Sequence, residues 1–303
     1  MKPGILVISH GSREADWVRL VDDTVAAVAA SQTCANRGAN GIAVPVVSAF
    51  LEIVEGRLIQ DGIDTLAAEG VEELYVLPLF VSSGSTHADD IAQAFGVAPV
   101  SAARRGELEP FRIPAGMTVH MGVPIDDDGD DVGTGREAGH GGEAGKAGDA
   151  GAGRGGIAGL LLDNIASLSE TPARERLLLV AHGSGEPVFH ERWLSGMTRL
   201  AGRLRALGGF AGADIALLLP DQAAGKLRAL QQRYPDDAFI VVPLFLSEGY
   251  FTRTVIPKRL DGLAYRYNGR ALLPSPRIAE WMERQIFHWL TRLGPDDGER
   301  LGS

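Results

Sequence analysis

Two apolar runs in this chain end in the same tripeptide. GILVIS, from Gly4, runs into His10-Gly11-Ser12, and RLLLVA, from Arg176, runs into His182-Gly183-Ser184. A second pair follows in the same order. LPLFVSSGSTHADDI (Leu77 to Ile91) lies over VPLFLSEGYFTRTVIP (Val242 to Pro257), with Pro78-Leu79-Phe80 matching Pro243-Leu244-Phe245, Ser82 matching Ser247, Gly84 matching Gly249 and Ile91 matching Ile256. A weaker third pair, SAFLEIVEGRL (Ser48 to Leu58) over LLLPDQAAGKL (Leu217 to Leu227), sets Glu52 against Asp221 and Glu55 against Ala224. Three ordered matches at a spacing far longer than a solenoid repeat predict two similar domains rather than an array. The copies differ in chemistry: Thr86-His87 of the first faces Phe251-Thr252 of the second.

Each matched run is apolar and then breaks at Gly or Ser, the pattern of a buried strand entering a loop. In chain order the expected strands are Gly4 to Ser9, Ile42 to Phe50, Glu72 to Val81 and Met117 to Pro124. Helices are expected at Ala15 to Ala30, Glu55 to Glu69 (ending at Gly70) and Asp89 to Phe95. The second half has strands at Leu177 to Ala181, Ala213 to Leu219 and Ala238 to Phe245, and helices at about Glu191 to Leu207 and Ala223 to Tyr234. A short helix from Pro257, an edge strand at Ala271 to Pro274 and a closing amphipathic helix at Ala279 to Leu293 complete it. Strands alternating with helices predict α/β halves built on parallel sheets.

Residues 126–156 break the pattern. About a dozen of these roughly thirty residues are glycine, and such a composition buries too little apolar surface to offset ordering entropy. A flexible insert is expected there, its removal leaving the fold intact, with His140 solvated. The expected organisation is a first half over 1–125, the insert, a helix and linker over 157–175 that complete the first half, and a second half over 176–303. The insert holds a formal G-x-G-x-x-G at Gly151, Gly153 and Gly156. No strand precedes it, which argues against a dinucleotide fingerprint.

Composition removes several function classes. The 303 residues carry a net charge of −10, with no basic surplus of the kind a nucleic-acid binder needs. One cysteine, Cys34, rules out an internal disulfide and a four-thiolate iron–sulfur cluster. No apolar run approaches the ~20 residues that span a bilayer, and the N-terminal run is too short for a signal peptide, so a cytoplasmic protein is expected. Neither a G-x-x-x-x-G-K-[ST] loop nor a G-x-S-x-G elbow occurs. Ser9 and Ala181 stand before the His-Gly pairs where a phosphohistidine enzyme would place arginine.

What remains is a pair of histidines. His10 and His87 each follow the end of a predicted parallel strand, and the carboxyl ends of such strands form the ligand crevice. Glu52 and Glu55 follow a third strand end. Neutral imidazole ligates borderline metals and accepts protons near neutral pH, and a nearby carboxylate orients it or balances its charge.

ISHGSRE, SAFLEIVEG and LPLFVSSGSTHADDI, in this order, resemble the sirohydrochlorin chelatases of the CbiX type in their two-repeat long form. The resemblance covers both halves and leaves out the glycine-rich insert. It implies a chelatase-like fold, two duplicated parallel-sheet α/β halves facing a central cleft. It also implies ATP-independent insertion of a divalent metal, Co²⁺ or Fe²⁺ and less often Ni²⁺, into an anionic tetrapyrrole, with the metal as substrate and no organic cofactor. Carried over by motif, His10 becomes metal ligand and proton acceptor, His87 the second ligand, and Glu55 the catalytic glutamate. Val81, Ser82, Ser83, Gly84, Ser85 and Thr86 become a tetrapyrrole-contacting loop, joined by Glu52. Arg13, Arg57 and Arg253 are candidates to pair with the substrate's acid groups. Many family members carry Gly-x-His; here the spacing is Gly84-Ser85-Thr86-His87, one residue longer. The second half lacks the second histidine, so one active site is expected, in the first half, in a monomer. The alternative is a metal or tetrapyrrole carrier without catalysis.

Overall fold

The computed structural model describes residues 1–35, 43–127 and 156–293. Most of the predicted insert, residues 128–155 with His140, lies outside them.

The chain forms two compact units, residues 1–124 with 273–303, and residues 125–272. The first unit contains β1 (Pro3–Ser9), α1 (Ala15–Ala29), α2 (Gln32–Ala35), β2 (Val46–Phe50), α3 (Ile59–Ala68), β3 (Glu73–Pro78), α4 (Thr86–Ala94) and β4 (Thr118–Met121). The second contains α5 (Gly156–Ile165), β5 (Glu175–Gly183), α6 (Pro187–Gly208), β6 (Gly212–Leu219), α7 (Ala223–Arg233), β7 (Ala238–Pro243) and α8 (Ile256–Arg259). The last helix, α9 (Pro276–Leu293), returns to the first unit.

Both sheets are parallel throughout, in the order β2-β1-β3-β4 and β6-β5-β7. A parallel strand with helices on both faces must be apolar on both sides, which explains why the repeats read as continuous apolar runs. Ile5 to Ile8 and Leu177 to Ala181 are all fully buried. Beneath one face of the first sheet, Leu6, Ile8, Leu74 and Val76 pack against Ile59, Ile63 and Leu66 of α3 and Ile91 of α4. The second core repeats this with Leu178, Val180, Ala216 and Val241 against Ala223, Leu227 and Leu230 of α7 and Ile256 of α8.

The order places β1 and β5 inside their sheets, so His10 and His182 each emerge between two neighbouring loops. From β1 the chain passes to β2 on one side and then crosses to β3 on the other. The β1/β3 boundary is therefore the switch point of the first sheet, where open α/β sheets leave a crevice.

Several boundaries differ from the sequence-based expectation. Helix α3 starts at Ile59 rather than Glu55, because residues 51–57 fold into a compact loop that returns Arg57 O to accept the Phe50 N–H at 2.9 Å. Helix α4 starts at Thr86 rather than Asp89, which puts His87 in its first turn instead of in a loop. The expected edge strand at Ala271 to Pro274 is not formed: Leu272 N–H donates to Phe245 O at 3.0 Å, and the sheet's extra bridge is Ile240 with Arg266.

The terminal helices also differ. The sequence groups the helix from Ile157 with the first half and the helix ending at Leu293 with the second. The packing runs the other way. Helix α5 lies on α6 and β7, and α9 lies on α1, α2 and β3, where Trp289 stacks on Tyr75 with centroids 4.9 Å apart. Amphipathicity marks a helix that needs a partner without naming which sheet supplies it. The ends of the insert are packed as well: Ile125 and Gly156 are buried, and Asp126 O accepts from Arg199 at 3.2 Å. A deletion of all of 126–156 would therefore remove structured residues.

Candidate functional site

Two loops and the first turn of α4, at the carboxyl end of the first sheet, bring His10, Glu52 and His87 together. His10 follows the central strand; its ring meets that of His87 edge to face, with centroids 4.8 Å apart and planes at 79°. Nε2 of His10 is 3.6 Å from Oε1 of Glu52. Nδ1 of His10 is 3.2 Å from Gly11 O. If Nδ1 carries the proton and donates to that carbonyl, the lone pair sits on Nε2, toward the carboxylate, as in metal-ligating histidines whose other nitrogen is held by the backbone.

The close approach depends on Gly11. Its φ is +102°, and a Cβ added there would stand 2.1 Å from Glu52 O. Only glycine lets the turn after β1 run against the turn after β2. The contact continues the sheet's hydrogen bonding, Leu51 N–H to Ser9 O at 2.9 Å and Glu52 N–H to His10 O at 3.1 Å, so the backbone itself sets the spacing between His10 and Glu52. The next residue, Ile53, has φ +76° and is exposed. A β-branched residue in the left-handed region is strained, and such strain recurs at functional loops.

His87 is carried by α4, whose first turn is fastened from below. Asp90 is buried and pairs with Arg104 at 2.6 Å; Asp89, also buried, accepts from Val100 N–H at 3.0 Å and from Gln93 Nε2 at 2.8 Å. The acidic pair that follows His87 in sequence thus anchors the helix. Ser82 is fully buried; its Oγ accepts from Gly84 N–H and its carbonyl from Ser85 N–H, both at 3.0 Å, which shapes the turn into α4. Val81, Ser83, Ser85 and Thr86 are partly buried around it. Burial pushes the His87 pKa below its ordinary 6.5, the neighbouring His10 pushes the same way, and the Asp90 and Glu52 charges oppose them. Burial and the Arg259 charge likewise lower His182.

These shifts make a pH prediction with a definite sign. Both rings resist protonation in the folded state, so the fold gains nothing from them above the ordinary histidine pKa and loses stability as pH falls below it. Histidine proton NMR should show two imidazoles titrating below the free value. The His87→Gln, His182→Gln double variant should lose part of the acid-side fall in melting temperature.

The remaining predicted residues are placed differently. Glu55 and Arg13 are exposed. Arg57 is engaged: Nη1 and Nη2 bond the two carboxylate oxygens of Asp22 at 2.9 and 2.6 Å, Nη2 also contacts Ser48 Oγ, and the guanidinium lies over Phe50 at 4.8 Å. That pairing holds the Asp22 pKa below its ordinary value. The carboxylate brought to His10 is therefore Glu52. In the second unit, Arg253 is exposed beside Glu248 at 3.3 Å.

The second unit repeats the geometry with different chemistry. His182 meets the ring of Phe251 at 4.9 Å and 83°, nearly the separation and angle of the first pair. Residue counting sets Phe251 opposite Thr86, but in space it stands where His87 stands. The reason is a π-helical turn, Phe251–Val255, that leads into α8 where the first unit begins an ordinary helix. The counterpart of Glu52 also changes. A Cβ on Gly183 would stand 2.3 Å from Leu219 O, as one on Gly11 would from Glu52 O. Strand register thus puts Leu219, not Asp221, at the station of Glu52.

Among the described residues, no cluster of three or more His, Cys, Asp or Glu side chains is arranged to hold a metal, and no helix is long and apolar enough to cross a membrane.

A family model, CbiX, matches residues 4–129 and 176–288, which takes in both repeats. No curated protein matches the sequence. Solved structures do match. SirB from Bacillus subtilis with Fe3+ aligns over 96% of this chain and 95% of its own at 17% identity and TM-score 0.63. The sirohydrochlorin chelatase SirB from Bacillus subtilis subspecies spizizenii, in complex with cobalt, aligns over 97% and 98% at 15% identity and TM-score 0.58. A multi-domain protein from Deinococcus radiodurans, described as structurally similar to chelatases but with two additional novel domains, aligns over 94% of this chain and 55% of its own at 16% identity and TM-score 0.56. At these identities the likeness is one of fold: two parallel-sheet α/β halves of the chelatase type.

Proposed function

The chain belongs to the CbiX family, and from that premise we propose that it inserts a divalent metal ion, Co²⁺ or Fe²⁺, into sirohydrochlorin without ATP. The observation that carries this reading is the His10–His87 pair at the switch point, with Glu52 beside His10. Two imidazoles at an open strand edge, with a carboxylate beside one of them rather than in a three-ligand cluster, suit a metal in transit. They supply too few ligands to close its coordination shell, so water or a pyrrole nitrogen can complete it and the ion can leave. The SirB structures carrying Fe3+ and cobalt support the choice of metals for the family fold.

Insertion forms four metal–nitrogen bonds and releases the two pyrrole N–H protons. A histidine nitrogen that ligates the metal cannot also accept a proton. In this reading Nε2 of His10 and the ring of His87 hold the ion, Glu52 takes one proton as the metal passes to the macrocycle, and the second goes to a histidine nitrogen that the departing metal frees. This assigns to Glu52 the part that the family motif lays on Glu55. Arg57 orders the β2 loop through Asp22 rather than binding substrate acids.

The test is anaerobic. Sirohydrochlorin is mixed with Co²⁺ or Fe²⁺, with and without protein, and the tetrapyrrole absorbance is followed. Acceleration of insertion supports the reading, and the faster metal identifies the preference. Spectral binding with no acceleration would point instead to a carrier.

The second unit supplies a constructive test. Because Phe251 already holds the ring geometry of His87, Phe251→His should create a second two-imidazole pair with His182. Equilibrium dialysis with Co²⁺ should then rise by up to one ion per chain, weaker than the first for want of a carboxylate at Leu219. Unchanged stoichiometry would show that ring geometry alone does not make the metal site.

A further inference from the structure

The second unit holds a cavity at the end of its sheet opposite His182. Strands β5 and β7 run parallel, and His182 stands at the carboxyl end of β5. The cavity, of about 390 Å³, opens at the first residues of β7. Its other walls are the last turn of α7 with the loop behind it, and the chain that follows α8. These walls are tied together. Arg266 N–H donates to Phe239 O at 2.8 Å, Val241 N–H donates to Arg266 O at 3.0 Å, and Gln231 Nε2 donates to Ala264 O at 2.5 Å. The space is therefore built into the fold, and its size falls among small-molecule sites, about 300–1,000 Å³. Every lining residue belongs to this one unit.

The lining combines aromatic surface with acceptors that the fold does not use. Tyr234, Phe239 and Tyr265 supply rings. Among the described residues, the hydroxyls of Tyr234 and Tyr265, Oε1 of Gln231 and Oδ1 of Asp237 have no hydrogen-bond partner. The charged donors, by contrast, are spent. The Arg266 guanidinium bonds Glu175 through Nη1 and Glu170 through Nη2, each at 2.8 Å, and Arg176 Nε donates to Asp237 Oδ2 at 2.7 Å. Arg176 also lies over the Tyr234 ring at 3.2 Å, with Arg233 at 5.2 Å, so this ring already faces cations. Burial and then the Asp261 charge push the Tyr265 hydroxyl above its ordinary 10, which keeps it protonated and marks a further carboxylate near that ring.

We propose that this cavity binds a small aromatic amine, its ring against Tyr265 and its N–H groups on Gln231 Oε1 and Asp237 Oδ1. An amine supplies the donors that these acceptors lack, and a protonated one gains from tyrosine faces and carboxylates as well. A carboxylate of the same size would meet unused acceptors, and the lining arginine, Arg266, is already paired. The inference is independent of the metal chemistry assigned to the first unit.

Two probes share one ring system: tryptamine, a cation at neutral pH, and indole-3-acetate, an anion. Isothermal titration calorimetry of the full-length protein should show one tryptamine site per chain. Indole-3-acetate should bind about tenfold more weakly or worse, the worth of a charge-assisted hydrogen bond. A chain of net charge −10 attracts any cation, so the variants decide. Gln231→Leu and Tyr265→Ala both keep the net charge, and each should weaken tryptamine about five- to tenfold. Tyr265→Phe, which keeps the ring, should bind like wild type, and Gln231→Glu should bind more tightly. Gln231 is half-buried at the cavity wall and outside the core, so its variants should fold, and melting curves without ligand check this. Failure of wild type to bind tryptamine would overturn the proposal, as would an affinity that Gln231→Leu and Tyr265→Ala leave unchanged. Indole-3-acetate binding as tightly as tryptamine would overturn it too, because the acceptors would then not select the ligand.

Discussion

Replacing His10 with alanine is expected to remove the protein's acceleration of metal insertion, a loss on the order of 10²- to 10⁴-fold. The ring is the shared element of the site. It faces His87 edge to face on one side and Glu52 through Nε2 on the other, and its Nδ1 is placed by the backbone at Gly11. Without it, His87 is a lone imidazole on a helix and Glu52 has no ligand to act beside. The fold should survive, because the His10 side chain is 40% exposed and fills no core space. Stability within about 0.5 kcal/mol of wild type is expected, as for most exposed substitutions. Parallel measurements of insertion rate, Co²⁺ affinity and urea denaturation separate the two effects. An insertion rate above background equal to that of wild type would refute the assignment, whatever the affinity showed.

Gly11→Ala is expected to act through the backbone and to cost more stability than any exposed side chain could. The new methyl would stand 2.1 Å from Glu52 O at φ +102°, so the β1 and β2 turns must separate or the peptide must rotate. Left-handed strain and overpacking together cost about 2–4 kcal/mol. The same rearrangement moves Glu52 away from His10, so insertion activity should fall in the fraction that still folds. Gly183→Ala provides the control. It meets Leu219 O at 2.3 Å in the second unit and should destabilise comparably, yet leave Co²⁺ capture in the first unit unchanged. Equal losses of Co²⁺ affinity in both variants would mean that glycine matters for folding alone.

The parts of this molecule that were legible in its sequence are those that local chemistry dictates. Continuous apolar runs ending in glycine and serine announce buried parallel strands, and the repeat announces two of everything, so fold class and the meeting of His10 with His87 followed. What escaped depends on partners distant in sequence. Glu55 and Glu52 stand three residues apart in one loop; the bond of Glu52 N–H to His10 O, made across strands far apart in sequence, sets Glu52 beside the histidine. Arg57 resembles a free anion binder until Asp22, 35 residues earlier, is seen beside it. Asp221 aligns with Glu52 by residue count, whereas strand register and the glycine contact choose Leu219. The π-helical turn at Phe251 shifts a ring by one residue, which a residue-by-residue match of the two motifs does not show.

The two terminal helices have a consequence for how the chain comes apart and comes together. The second unit is one continuous stretch, 125–272, with α5 on its own β7, whereas the first takes its last helix, α9, from beyond that stretch and packs it on β3. A cut between Asp127 and Gly156 would break the backbone but leave α9 on the second fragment and its packing partners α1, α2 and β3 on the first, so the fragments should co-purify until denatured. Order of synthesis matters too. The unit that carries His10 and His87 is closed by α9, a helix made only after the whole second unit, so that unit is the last to be finished.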